Sequence, residues 1–261
     1  MRVALCLTGL VGSSSGKSWD KKGGTDEVLE TCAKHFNKHM LSKNDVDVFF
    51  HTWEIEFENQ LVKKYNPKLY ITEVQKVFTD IIPSSTPRVQ AHYSKWYSIR
   101  EAIKLKKDYE LENNFEYDFV IQSRFDVVWT TDVVFENFDN SKFYIPRLTK
   151  GGANWGWPYY YSYNEISDLW FFSNSKNMNE FSKLYNNINR YLDEGCPSFQ
   201  GISNHMLAKW HLTKLGLLPD HTELAFSDLS RKHISISESN IKFLNQGEDV
   251  ADFQLCRGFL K

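Results

Sequence analysis

YDFVIQSRFDVVW, residues 117–129, decides how the rest of the chain is read. Its opening YDFVIQ is apolar enough for a buried strand, and the run stops at a charged turn, Ser123-Arg124-Phe125-Asp126. A strand that ends in charge suits an open α/β sheet, where ligands bind beyond the carboxyl ends of the strands. Working outward towards the N-terminus, residues 89–113 read as a long helix with Ile99, Ala102, Ile103 and Leu105 on one side, entered from the loop IPSSTP. KLYITEV (68–74), DVDVFFHTW (45–53) and RVALCLT (2–8) read as strands, and residues 25–41 as an amphipathic helix carrying Val28, Leu29, Cys32, Ala33, Phe36 and Met40. In the other direction KFYIP (142–146) and DLWFFS (168–173) read as strands, with helices expected over 175–192 and 200–215. The tail, 223–261, shows no clear pattern.

The order β-α-β-x-β favours a Rossmann-like, mostly parallel central sheet flanked by helices. At 261 residues, with no repeat, linker or composition break, the chain reads as one α/β domain over 1–261. A net charge of -2 supplies no bulk basic field, which argues against nucleic acid as a partner. The aromatic fraction, 15%, suits rings that stack on sugars or bases and equally an aromatic-rich core. Cys6, Cys32, Cys196 and Cys256 are far apart and form no C-x-x-C, so they read as free thiols. No apolar run approaches a signal peptide or a membrane span, and the expectation is a soluble, intracellular protein.

GSSSGKS, residues 12–18, invites a phosphate-binding reading that its spacing does not meet. The pattern G-x-x-x-x-G-K-[ST] needs glycine where the chain has Val11, and Gly23-Gly24 in a charged run is a poor first helical turn. The stretch reads instead as a flexible polar loop.

Chemistry concentrates at the charged strand end. A carboxylate at Asp126 suits a hard divalent cation, Mg2+ or Mn2+, shared with substrate phosphates. Arg124 either contacts a phosphate through its planar fork or pairs with Asp126, and an ion pair that merely caps the strand stays open. Asp168 opens DLWFFS and is either a general base at a cleft edge or a turn residue. His205 is a second candidate base or metal ligand beside the structural role commoner for a lone helical histidine. His211 lies too far along to share an i, i+4 ligand pair with it. The run NWGWPYYYSYN, 154–164, follows neither a strand nor a helix period; Trp155, Trp157 and Tyr160 suit an acceptor sugar, or a lid packed on the core.

VALCLTG, DVDVFFHTW, KWYSIREAIKLKKDYE, YDFVIQSRFDVVW and DLWFFSNSKNMNEFSKLY, taken in order, resemble glycosyltransferases of the GT-A nucleotide-sugar type. The likeness is closest to the small capsule- and glycan-building enzymes of bacteria and large viruses, and it spans residues 1–217. It implies a nucleotide-sugar-binding half over about 1–130 and an acceptor-binding half with the tail over about 131–261. Carried over, Thr8, Gly9, His51 and Trp53 line the nucleotide side, and Arg124-Phe125-Asp126 stands where a D-x-D motif bridges a metal to the donor diphosphate. The first acidic residue is Arg124 here, which leaves Asp126 as the obvious ligand for Mn2+ or Mg2+ and admits metal-free binding through Arg124. Asp168 falls where relatives place an acidic residue near the acceptor. The implied partners are a UDP- or GDP-linked sugar and a glycan or glycoconjugate acceptor, in the cytoplasm of a bacterium or of a virus-infected host. The alternatives are a sulfotransferase using the Gly12–Ser18 loop, and a carbohydrate-binding or assembly protein that has lost turnover.

Overall fold

The computed structural model describes residues 1–11, 26–78, 89–147, 168–196, 203–217, 241–245 and 253–255. The first strand β1 (Arg2–Gly9) pairs in parallel with β2 (Asp45–Thr52), which pairs in parallel with β3 (Leu69–Thr72). On its other side β1 pairs in parallel with β4 (Phe119–Arg124). Beyond β4 come β7 (Trp170–Ser173), β6 (Phe143–Arg147) and β8 (Ile241–Asn245), giving the order β3-β2-β1-β4-β7-β6-β8. Only β7 opposes its neighbours, so the sheet is mixed and mostly parallel, which is compatible with a Rossmann-like α/β fold. A short ribbon joins β5 (Val127–Trp129), directly after Asp126, to β9 (Phe253–Leu255). The tail therefore supplies β8 and β9, two strands for which its sequence gave no pattern.

Side-chain alternation divides the core into two layers. Val3, Leu5, Leu7, Val48, Phe50 and Ile121 pack on the face covered by α1 (Asp26–His39) and α2 (Glu58–Tyr65), against Val28, Leu29, Cys32, Phe36, Leu61 and Tyr65. Ala4, Cys6, Phe49, Val120 and Phe171 point the other way, against Trp96, Ile99, Ala102 and Ile103 of α3 (Val89–Asn113). Outside α3 lie α4 (Ser175–Ser182), α5 (Leu184–Asp193) and α6 (Asn204–Lys214). Most of the first half of α3 is buried, and Lys104, Lys107 and Asp108 turn towards solvent in its second half, so the apolar side expected at Ile99, Ala102 and Ile103 packs on the sheet.

Three local readings need correction. The helix expected over 175–192 is two, broken at Lys183, which caps the end of α4 and the start of α5. The helix expected from 200 starts at Asn204, with Ser203 Oγ accepting the Met206 N–H at 3.4 Å. α2 is an element absent from the sequence reading; its signal is Leu61 and Tyr65, four residues apart and both buried, before the left-handed stop at Asn66. Cys6, Cys32 and Cys196 are buried free thiols, and Cys256 lies outside the described residues. Among the described residues no helix is long and apolar enough to cross a membrane.

Candidate functional site

Pairing register builds the site. Thr8 stands opposite His51 of β2 and Arg124 of β4, so the carboxyl ends of three parallel strands set His51, Thr8 and Arg124 in one row. This row sits at the reversal of strand order: β2 and β3 lie on one side of β1, and β4 on the other. In open α/β sheets that reversal opens a crevice beyond the strand ends.

The β1 end of this row is held in a fixed shape. Gly9 has φ +90, a left-handed conformation that an L side chain rarely adopts, while a Cβ there would meet no atom within 4 Å. Its glycine is thus demanded by backbone conformation rather than by crowding. The Gly9 carbonyl accepts from Thr52 Oγ1 at 2.8 Å, and its N–H donates to Ser98 Oγ at 2.9 Å. The Val11 N–H donates to buried Glu54. A buried relay stands behind this turn: His51 Nε2–H donates to Glu73 Oε1 at 3.0 Å, so His51 Nδ1 accepts the Ser98 hydroxyl at 2.8 Å. Burial pushes the His51 pKa down against the opposing pull of Glu73, which keeps the ring neutral.

His51 and Trp53, expected on the nucleotide side, are therefore beneath the rim. His51 is fully buried, and Trp53 stacks on Tyr97 at 5.3 Å and stands edge-on to His51 at 4.5 Å. Thr8 is buried too, its Oγ1 accepting from Gln122 Nε2 at 2.9 Å. These three shape the strand ends, and Gly9 is the part of the group that offers backbone.

The β4 end is charged. Arg124 closes a fork on Asp126, Nε to Oδ1 at 2.7 Å and Nη2 to Oδ2 at 2.5 Å, with the arginine side chain 36% exposed and the aspartate 14%. Both Asp126 oxygens are thus engaged by a cation. Among the described residues no group of three or more His, Cys, Asp or Glu side chains converges to hold a metal. This donor set does not fit Mn2+ or Mg2+ at Asp126 while the fork is closed, because a divalent cation needs several free oxygen ligands.

Asp168 meets a partner that sequence reasoning missed. Lys95 of α3 reaches its Oδ2 at 2.6 Å and also donates to its backbone carbonyl. Burial pushes the Asp168 carboxyl up, but Lys95, then His205 and Arg124, outweigh it and hold the group far below the usual carboxylate range. Lys95 is itself pushed down by burial, against the pull of Asp168. The Arg124 N–H donates to the Leu169 carbonyl at 3.2 Å, fixing the two ion pairs side by side. Trp96 Nε1 donates to Asn204 Oδ1 at 2.9 Å, which docks the first turn of α6 here and explains why Asp168 feels His205. The signal for Lys95 was present: it lies eleven residues, three helical turns, before Lys106, so both project from one face of α3.

His211 is structural. Its Nε2 donates to the Glu180 carbonyl at 3.1 Å and its Nδ1 accepts from Tyr191 at 2.6 Å, and burial lowers its pKa to about 4. Trp155, Trp157, Tyr160 and the Gly12–Ser18 loop lie outside the described residues. No family model and no curated protein matches this chain.

Proposed function

We propose that the chain is a glycosyltransferase of the nucleotide-sugar type on a GT-A-like sheet, moving a sugar from a UDP- or GDP-linked donor to a glycan or glycoconjugate hydroxyl. One observation carries this reading: at the reversal of strand order, adjacent parallel strands end in a glycine-held turn at Thr8-Gly9 and in the Arg124 guanidinium, in register. Such a crevice suits a nucleotide, with backbone on one side and a planar, phosphate-matching cation on the other.

In the transfer, the bond from the anomeric carbon to the diphosphate oxygen breaks as the bond to the acceptor oxygen forms. The diphosphate leaves with the negative charge, and the acceptor proton passes to a base. Arg124 is suited to the departing charge, since a charge-assisted fork strengthens as charge builds on oxygen. Asp168 is the nearby carboxylate for the proton in an inverting transfer, and orients the acceptor in a retaining one. While it is paired with Lys95 its low proton affinity makes it a weak base. No step here runs through a metal. The reading goes with a cytoplasmic site of action and with an acceptor resting on the aromatic run around Trp155, Trp157 and Tyr160.

Calorimetric titration with UDP, GDP, CMP and adenosine 3′,5′-bisphosphate, each with and without Mn2+, tests this. Binding of UDP or GDP, followed by transfer from the matching nucleotide sugar, is the expected result. Binding of the bisphosphate alone would make sulfotransfer through residues 12–18 the better reading, and nucleotide binding without turnover would favour a carbohydrate-binding role.

A further inference from the structure

Two ion pairs stand shoulder to shoulder at the mouth of the sheet: Lys95 with Asp168 at 2.6 Å, and Arg124 with both oxygens of Asp126 at 2.7 and 2.5 Å. They are electrostatic neighbours, Lys95 sensing Arg124 and Asp126, and Arg124 sensing Asp168. Each cation of the proposed site is thus held by an aspartate of this chain, at a strand end where an anion is expected.

Building on the glycosyltransferase reading, we infer that the two pairs form an ion-exchange site for the donor diphosphate. Asp126 and Asp168 are internal stand-ins that the phosphate oxygens displace from Arg124 and Lys95. Arg124 is the entry point, because it is the most exposed member of the quartet, 36% against 14 or 15% for the others. A diphosphate brings more charge and more acceptor oxygens than one carboxylate, and the exchange spares the protein the cost of holding two bare cations in a partly buried place. The exchange also orders the reaction. When Lys95 turns to phosphate, Asp168 loses the partner that suppresses its proton affinity, so the carboxylate becomes available to the acceptor hydroxyl only once the donor is seated. Lys95 is then a substrate-contacting residue that the D-x-D comparison does not contain.

The contrast with a metal bridge makes the inference testable, since a bridging carboxylate must be kept and a stand-in is better removed. The full chain is titrated with UDP, GDP and inorganic pyrophosphate, in metal-free buffer and again with Mn2+, as wild type and as Asp168→Asn, Asp126→Asn and Lys95→Gln. The expected result is binding about three- to tenfold tighter in each asparagine variant, and at least about tenfold weaker in Lys95→Gln, the scale of a lost charge partner. Near-UV circular dichroism checks that each variant is folded; the two asparagine variants probe different pairs, so either alone suffices. Wild-type binding that ignores all three substitutions, or that disappears in Asp126→Asn, overturns the exchange and leaves the glycosyltransferase reading standing. Wild-type chain that takes none of the probes, with or without Mn2+, sinks both.

Discussion

Helix α3 carries the same chemistry, a lysine beside a carboxylate, in three settings. Lys106 and Glu110 are deep, with Nζ giving its protons to Glu110 at 2.9 Å, Ser175 at 2.7 Å and Asn179 at 2.8 Å, while Glu110 also accepts the Tyr117 N–H at 2.9 Å. Every donor there has a permanent partner from the protein. Lys95 and Asp168, three turns earlier, lie at the strand ends beside a second ion pair, each with 15% of its side chain exposed. Lys104 and Asp108 make the same contact in water, their side chains 63% and 38% exposed. The residue types are shared and the surroundings are not. A pair sealed inside with all its hydrogen bonds satisfied is architecture, and a pair at the crevice with another charge next door is exchangeable.

The largest effect expected from breaking this comparison is at the deep pair. Lys106→Ala leaves Glu110 buried without its cation, and chemical denaturation should register a loss of about 3–5 kcal/mol. Nucleotide affinity per folded molecule should be unchanged, the reverse of the pattern expected for Lys95→Gln.

Acid sharpens the contrast further. The folded His211 has a pKa of about 4 against 6.5 unfolded, so the unfolded chain binds the extra proton between those values. Its contribution is complete above about pH 6.5 and fades as pH falls towards 4, amounting to roughly 3 kcal/mol. The Asp168 carboxylate is shifted down as well, but its contribution is complete above its unfolded value of 3.8 and fades only at lower pH. Urea midpoints measured from pH 7 to pH 3 should therefore show an upper arm, to which buried His51 also contributes, that shrinks in His211→Gln and persists in full in Asp168→Asn.

Gly9→Ala comes next, costing about 1–2 kcal/mol because alanine resists φ +90, with the open space around it offering no further penalty. Thermal melts measure this, and nucleotide titration should show a parallel loss as the turn shifts. The smallest effect belongs to Lys104→Ala, where the exposed pair should change stability by no more than about 0.5 kcal/mol. A large loss there would mean that burial is not what separates the three pairs.

Much of the sheet could be read in advance, because Val3, Leu5 and Leu7 on one face and Ala4 and Cys6 on the other make β1 apolar throughout, as a strand covered on both sides must be. The tail strands could not be read, since an edge strand that borrows its order from a neighbour needs little pattern of its own. At the site, Arg124 and Asp126 were visible because the turn that joins them is local. Lys95, Glu54, Glu73 and Ser98 were not: each meets its partner through a fold contact from another element, and Ser98 reaches Gly9 across 89 positions. His51 and Trp53 were legible as strand-end residues, but their burial follows from Tyr97, which arrives on α3.

The central position of β1 also has a consequence for how the chain is made. Its hydrogen bond from Thr8 to Ser123 spans 115 positions. At a synthesis rate of about 5–20 residues per second, β1 waits on the order of ten seconds for β4 after leaving the ribosome, while its other pairing partner β2 arrives sooner. During that interval an apolar strand has one edge without its partner, and the crevice has only one of its walls. Nascent chains of this protein should therefore engage chaperones until residue 124 has emerged, and the site can appear only after that point in translation.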